Sequence, residues 1–314
     1  MSDQESKPVV VLCPGQGAQA VGMGRSWAQR FPIAAQTFEQ AGQILGMDLT
    51  KLCFGGPQEQ LNRTDVAQAA IYVCSVACWR SLRQEGGLGS VAAAAGLSLG
   101  EFTALHMAEA FDFETGLKLV RLRGQAMQAA AEATASGMVA LIGADASTAE
   151  DLCRRAVARV GPRQRVLAAA NFNCPGQVVI SGTAAACAAA IDLAARQEGL
   201  QAVPLAVAGA FHSPLMQPAA DRLAEALDQA TWAAPAVPVL SNVTGQPHDS
   251  DIDAIKRRLV EQVTQPVRWE ADMRWIIEHL PSADYAELAP GKVLAGLMRR
   301  IDRSVKVTSH PEAA

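Results

Sequence analysis

The chain has 314 residues, half of them hydrophobic and 18% charged, with a formal net charge of −4. This composition is globular rather than disordered, and the length suits one large core or two domains. The acidic balance excludes bulk attraction to nucleic acid or to an anionic membrane surface.

The polar start, residues 1–7, precedes Val9–Cys13, an apolar run far too short for a signal-peptide core. No stretch offers the ~18 uncharged apolar residues of a membrane helix. Seven cysteines, odd in number and irregularly spaced, suit a reducing compartment, so a cytoplasmic location is expected. Val9–Cys13 ends in Pro14-Gly15 and reads as a buried parallel strand. Helical patterns dominate from there to residue 85; Cys74 and Cys78, four apart, mark one buried helix face rather than a metal site. A second strand at 90–95 leads into Gly96-Leu97-Ser98-Leu99-Gly100-Glu101, and helices follow to about residue 133. This alternation predicts an α/β layer structure on a parallel sheet.

The texture then changes. Residues 138–143 read as a strand, and 147–159 as a helix with Ser147 as cap and Glu150 completing a capping box. Strands at 165–170 and 177–181 flank a turn-rich loop, 171–176. A helix at 183–197 and a strand at 202–207 complete a βαββαβ order, that of a ferredoxin-like unit. A strand at 237–240 is expected next, with helices from there to the end. The simplest architecture is a large α/β domain interrupted by a smaller α+β insert.

Gly96-x-Ser98-x-Gly100 between a strand and a helix has the spacing of a nucleophile elbow. The same spacing fits an ordinary glycine turn. Gly15-x-Gly17-x-x-Ala20 raises a dinucleotide fingerprint. No strand separates the following helix from Glu39, however, so the acidic residue lacks a strand end to sit on. A glycine turn there can instead present backbone N–H groups to an anion, including a transient oxyanion.

A serine nucleophile needs a base, and the chain has five histidines. His310 falls in the charged tail, His279 at a helix end, and His248 in a polar loop. His106 is carried away from Ser98 by its helix. His212, in Gly209-Ala210-Phe211-His212-Ser213-Pro214, sits in a turn after a strand, where neutral imidazole can take and return a proton. Its alternative is a helix-cap histidine. Glu132, Asp145, Glu150 and Asp151 lie between the two, but none ends a main-sheet strand, so a backbone or amide carbonyl is an alternative orienting group. Arg123, beside Gly124, is either a solvated charge or a fork for a carboxylate-bearing acyl group.

These motifs, together with Pro266-Val267-Arg268-Trp269 and Gly291-Lys292-Val293-Leu294, resemble in order and spacing the malonyl-CoA:acyl-carrier-protein transacylases, over residues 9 to 302. The resemblance implies an α/β-hydrolase-like catalytic domain, 1–136 with 207–314, and a ferredoxin-like insert, 137–206. It implies Ser98 as nucleophile, His212 as base, a carbonyl at Gln262 orienting the base, and backbone N–H groups of Gln16 and Leu99 as the oxyanion hole. Arg123 would pair with the malonyl carboxylate, with Met127 and Phe211 shaping the pocket. Gln68, Asn171 and Asn173 would contact the acyl or pantetheine chain. The implied reaction moves malonyl from malonyl-CoA to acyl carrier protein for fatty-acid synthesis, without metal or redox cofactor, in a monomer. Alternatives are a polyketide acyltransferase or a serine thioesterase. Leu97 stands where many members carry histidine. Lys118, Arg121, Lys292, Arg299 and Arg300 are candidate charges for docking an acidic carrier.

Overall fold

The computed structural model describes residues 7–313, so nearly all of the polar start lies outside the described residues. Strand β1 (Val9–Cys13) is followed by five helices: α1 (Arg25–Arg30), α2 (Pro32–Leu45), α3 (Leu49–Gly55), α4 (Gln58–Leu61) and α5 (Thr64–Gln84). β2 (Val91–Gly96) runs into α6 (Leu99–Met107), and α7 (Phe113–Ala133) follows. Next come β3 (Ser136–Ile142), α8 (Ala146–Val157), β4 (Leu167–Cys174), β5 (Gln177–Thr183), α9 (Ala184–Ala194) and β6 (Gln201–Pro204). The last third holds α10 (Gln217–Gln229), the short pair β7 (Leu240–Ser241) and β8 (Gln246–Pro247), α11 (Ile252–Thr264), α12 (Trp269–His279), β9 (Asp284–Glu287), α13 (Val293–Ile301) and β10 (Val307–Ser309).

The structure is α/β. One sheet, in the order β10-β9-β1-β2, is parallel throughout. All five residues of β1 are buried because both faces of the sheet are covered. Val9, Val11 and Cys13 join the core that includes α2, α5 and α7, while Val10 and Leu12 pack with Trp269, Met273, Leu294 and Met298 of α12 and α13. A second sheet, β4-β5-β3-β6, is antiparallel. Val139, Leu141, Val178 and Ile180 share a separate core with α8 and α9. The alternate residues Met138, Ala140 and Val179 turn the other way and join the main core.

Several boundaries differ from the sequence expectation. Asp145, not Ser147, caps α8 by accepting from Thr148 N–H at 2.7 Å, and Ser147 Oγ donates to Asp145. Residues 171–174 are strand rather than loop. Val267 pairs with them, its N–H donating to Ala170 and its carbonyl accepting from Phe172, both at 2.9 Å. Two register shifts let β4 carry these turn-forming asparagines, so tertiary pairing overrides local preference. The strand expected at 202–207 is β6, over 201–204. That at 237–240 is reduced to β7 and a single bridge from Val239 to Ala94 beside β2. The chain after 280 is not all helix, since β9 and β10 complete the parallel sheet. Four and three residues long, they are too short to show a period of two.

The sheet-to-helix turn after β2 depends on two glycines. A Cβ on Gly96 would lie 1.9 Å from the Gly100 carbonyl carbon, and one on Gly100 would lie 2.1 Å from Cys13 O. Gly100→Ala is therefore expected to cost about 2–3 kcal/mol through forced backbone displacement. Gly296→Ala, in α13 with nothing within 4 Å of the new methyl, is expected to gain about 1 kcal/mol from helix propensity. Urea unfolding midpoints of the two variants check this; equal midpoints would refute the close-approach argument.

Candidate active site

Ser98 lies where the carboxyl end of β2 meets the N-terminus of α6, next to the loop that leaves β1. The carboxyl ends of parallel strands are where open α/β sheets place their ligands. Its backbone is in the left-handed region, φ 53° and ψ −104°, a conformation that costs a residue with a β-carbon about 1–3 kcal/mol. The flanking glycines allow β2, β1 and α6 to approach closely enough to enforce it.

His212 also has a positive φ, 56°, in the turn before α10, and it is buried. Its Nε2 lies 2.8 Å from Ser98 Oγ, and its Nδ1 lies 2.7 Å from the backbone carbonyl of Gln262. A carbonyl can only accept, so Nδ1 carries the proton and Nε2 is left to accept the serine hydroxyl. Gln262 sits in the last turn of α11, where helix carbonyls lack helical partners. The partial negative charge of that helix end favours the imidazolium formed when His212 takes a proton. Burial first, and the Arg123 charge second, push the histidine down to about 4. The ring is therefore neutral at pH 7 and able to act as a base.

Arg123 is 1% exposed. Nη1 donates to Gln68 Oε1 at 2.7 Å, and Nη2 donates to Gln262 Oε1 at 2.8 Å and to Ser98 Oγ at 3.0 Å. No carboxylate among the described residues forms an ion pair with it. Burial lowers it to about 10, partly offset by Glu101, so the guanidinium stays charged at neutral pH. An anion entering the site meets a desolvated positive charge whose partners are neutral side chains.

A cavity of about 350 Å³ opens over Ser98 between the two sheets. Its lining includes Gln16, Gln68, Leu97, Ser98, Arg123, Met127, Phe211 and His212 from the large body, and Asn171 and Asn173 from β4. Leu99 turns its side chain into the core, so only its backbone can serve the site. The Gln16 and Leu99 N–H groups meet no protein acceptor among the described residues, whereas Ser98 N–H donates to Asn242 Oδ1 at 2.7 Å. All the sequence-predicted site residues thus converge here. Of the surface charges, Lys118, Arg121, Arg299 and Arg300 do not line the cavity, and Lys292 stands next to the lining residue Val293. Lys118 pairs with Glu114, Arg121 donates to Asp65 O, and Arg299 and Arg300 lie with Arg303 beside Pro175.

Sequence reasoning missed a buried layer beneath the turn. Glu101 Oε2 accepts from Gln262 Nε2 at 2.7 Å and from Asn242 N–H at 3.1 Å. Its Oε1 faces His248 Nε2 at 2.7 Å, so His248 is buried rather than loop-solvated. Asn242 Nδ2 donates to Asp272 Oδ2 at 2.8 Å. Burial, and then the Glu101 charge, push Asp272 well above the usual carboxylate range. Glu101 stands inside the serine motif, but nothing local points to Asn242, 144 positions away.

The acyl transferase domain family matches residues 10–308. The malonyl CoA-acyl carrier protein transacylase of Bacillus subtilis is 37% identical over 97% of this chain and 94% of its own length. The chain belongs to the malonyl-CoA:acyl carrier protein transacylase family. The crystal structure of the Xanthomonas oryzae pv. oryzae malonyl-CoA:acyl carrier protein transacylase superposes with a TM-score of 0.91 at 40% identity, covering 98% of this chain and 95% of that one. A malonyl-transacylase solved with its type II PKS acyl-carrier protein gives a TM-score of 0.89 at 38% identity, covering 98% and 96%.

The depressed histidine has a direct consequence. A histidine takes up a proton only when it is neutral, and His212 keeps its ring neutral until pH falls to about 4. The rate of Ser98 labelling by a fluorophosphonate is expected to stay level from pH 7 to 5.5 and to fall only as pH approaches 4. An inflection near 6.5 would contradict the burial argument.

Proposed function

We propose that this transacylase-family chain transfers malonyl from malonyl-CoA to the phosphopantetheine thiol of an acyl carrier protein, feeding fatty-acid synthesis. The observation that carries this reading is the buried, carboxylate-free Arg123 at 3.0 Å from the Ser98 hydroxyl. It selects an acyl group that ends in a carboxylate.

Malonyl-CoA enters with its carboxylate on Arg123, replacing the Ser98 hydroxyl at Nη2. Ser98 Oγ attacks the thioester carbonyl as its proton passes to His212 Nε2. The oxyanion is held by the Gln16 N–H in the loop after β1 and the Leu99 N–H at the N-terminus of α6, a contribution of about 3–4 kcal/mol per donor in comparable sites. Collapse breaks the C–S bond, and CoA leaves with the proton from His212. The carrier thiol then gives its proton to His212 and attacks the malonyl-serine ester. The serine oxygen departs and recovers the proton. Every proton and charge is handled by this chain's own groups, so the reaction needs no metal or redox cofactor.

Phe211 and Met127, both buried against the cavity, crowd the space beside the acyl carbon and favour malonyl over α-branched groups. Gln68 sets the guanidinium, while Asn171 and Asn173 contact the incoming arm. In the same proposal the parallel sheet and its helices form an α/β-hydrolase-like body, 1–136 with 207–314. Residues 137–206 form a ferredoxin-like insert that roofs the cavity, a reading supported by the order β4-β5-β3-β6 and the separate core over α8 and α9.

Arg123→Ala removes the buried partner of the malonyl carboxylate and is expected to lower malonyl transfer about 100-fold or more, while acetyl transfer falls much less. Ser98→Ala is expected to abolish stable labelling by radiolabelled malonyl-CoA. The assay supplies malonyl-, methylmalonyl- and acetyl-CoA with holo carrier protein. Undiminished malonyl preference in the arginine variant, or release of free malonate without carrier loading, would overturn the assignment.

A further inference from the structure

The strained serine turn is gripped by a side chain that the mechanism above does not use. Asn242, fully buried, follows β7 and lies beneath the turn. Its Oδ1 accepts from Ser98 N–H at 2.7 Å, and its Nδ2 donates to Gly96 O at 2.8 Å. One amide thus pairs a backbone donor and a backbone acceptor of the tight turn, on either side of Leu97. Its remaining capacity is also spent: Oδ1 accepts from Gln262 Nε2 at 3.3 Å, and Nδ2 donates to Asp272 Oδ2 at 2.8 Å. Its own backbone is tied at both ends, N–H to Glu101 Oε2 at 3.1 Å and carbonyl to Arg268 N–H at 2.8 Å. An amide with every donor and acceptor engaged cannot flip without breaking several buried hydrogen bonds.

We propose that Asn242 is a positioning residue for the nucleophile, clamping the Gly96–Ser98 turn and drawing Ser98 N–H away from the oxyanion position. The proposal rests on the reading of Ser98 as the nucleophile. A left-handed serine persists only where its surroundings over-determine it. Here the glycines permit the conformation and Asn242 holds it. Without the clamp, rotation of the 97–98 peptide releases the strain and swings Oγ off the line to His212 Nε2. It also leaves Ser98 N–H free to compete with Leu99 N–H for the same oxygen. Asp272 suits its role as acceptor for Nδ2. Burial and the Glu101 charge favour its neutral form, so the clamp adds no second buried anion beside Glu101.

The test separates positioning from mere stability. In Asn242→Ala, the single-turnover rate of Ser98 acylation by radiolabelled malonyl-CoA is expected to fall about 30-fold, the scale of the released strain. Malonyl-CoA affinity, measured by calorimetry in a Ser98→Ala background, is expected to stay within about 2-fold, since Arg123 and the cavity are untouched. In ¹⁵N-labelled protein the Ser98 amide exchanges slowly in the wild type and fast in the variant, while the β1 amides stay protected. If Asn242→Ala fails to fold, the near-isosteric Asn242→Leu, which lacks both the Nδ2 donor and the Oδ1 acceptor, is read by the same three measurements. A fall in rate smaller than about 10-fold would overturn the proposal, as would affinity lost in parallel with rate or rapid Ser98 exchange in the wild type. Absence of any acyl label on wild-type Ser98 would instead remove the nucleophile assignment, and the exchange measurement does not depend on that label.

Discussion

A buried guanidinium held only by neutral oxygens organises this protein. Arg123 gives its hydrogen bonds to two glutamine side chains and a serine hydroxyl, with Phe102 beneath its plane. The nearest compensating charge is Glu101, reached only through the side chain of Gln262. Burying such a charge is costly unless it is paired. That cost leaves the cavity attractive to a carboxylate, and the same charge helps keep His212 unprotonated. One buried charge therefore bears both on the anion the cavity can take and on the protonation of His212.

Two helix ends face the Ser98–His212 pair, and the C-terminal end of α11 takes the orienting place that a carboxylate holds in a Ser-His-Asp triad. The C-terminal carbonyl of Gln262 fixes the tautomer of His212, and the helix dipole behind it favours the imidazolium. The N-terminus of α6 adjoins Ser98 with an uncommitted N–H at Leu99. Gln262 connects these groups: its carbonyl holds His212, its amide oxygen accepts from Arg123, and its amide nitrogen donates to Ser98 O and Glu101. A substitution at Gln262 therefore disturbs His212, Arg123 and the serine turn together.

Local sequence carried much of the site. Gly96, Ser98 and Gly100 were legible because a strand-to-helix turn with two close approaches tolerates few other residues. His212 stood out because the other four histidines had evident alternatives, although His248 is in fact buried against Glu101. The short strands β9 and β10, the extension of β4 through its asparagines, and the cap at Asp145 were not legible. Each depends on a partner distant in sequence, or on competition between adjacent polar residues that propensity cannot rank.

The sequence by itself determined the alternation of the first half, the change of texture near residue 136, and the residue types able to attack, to accept a proton and to bind a carboxylate. These follow from periodicity and side-chain chemistry, which act over a few positions. The tertiary structure decided which groups meet. It placed Gln262 O against His212, Asn242 across the serine turn, and Arg123 in a pocket without a carboxylate. Those contacts join residues 50 to 144 positions apart. Hydrogen bonds and burial over such separations are set by how sheets and helices pack, and no local pattern encodes them.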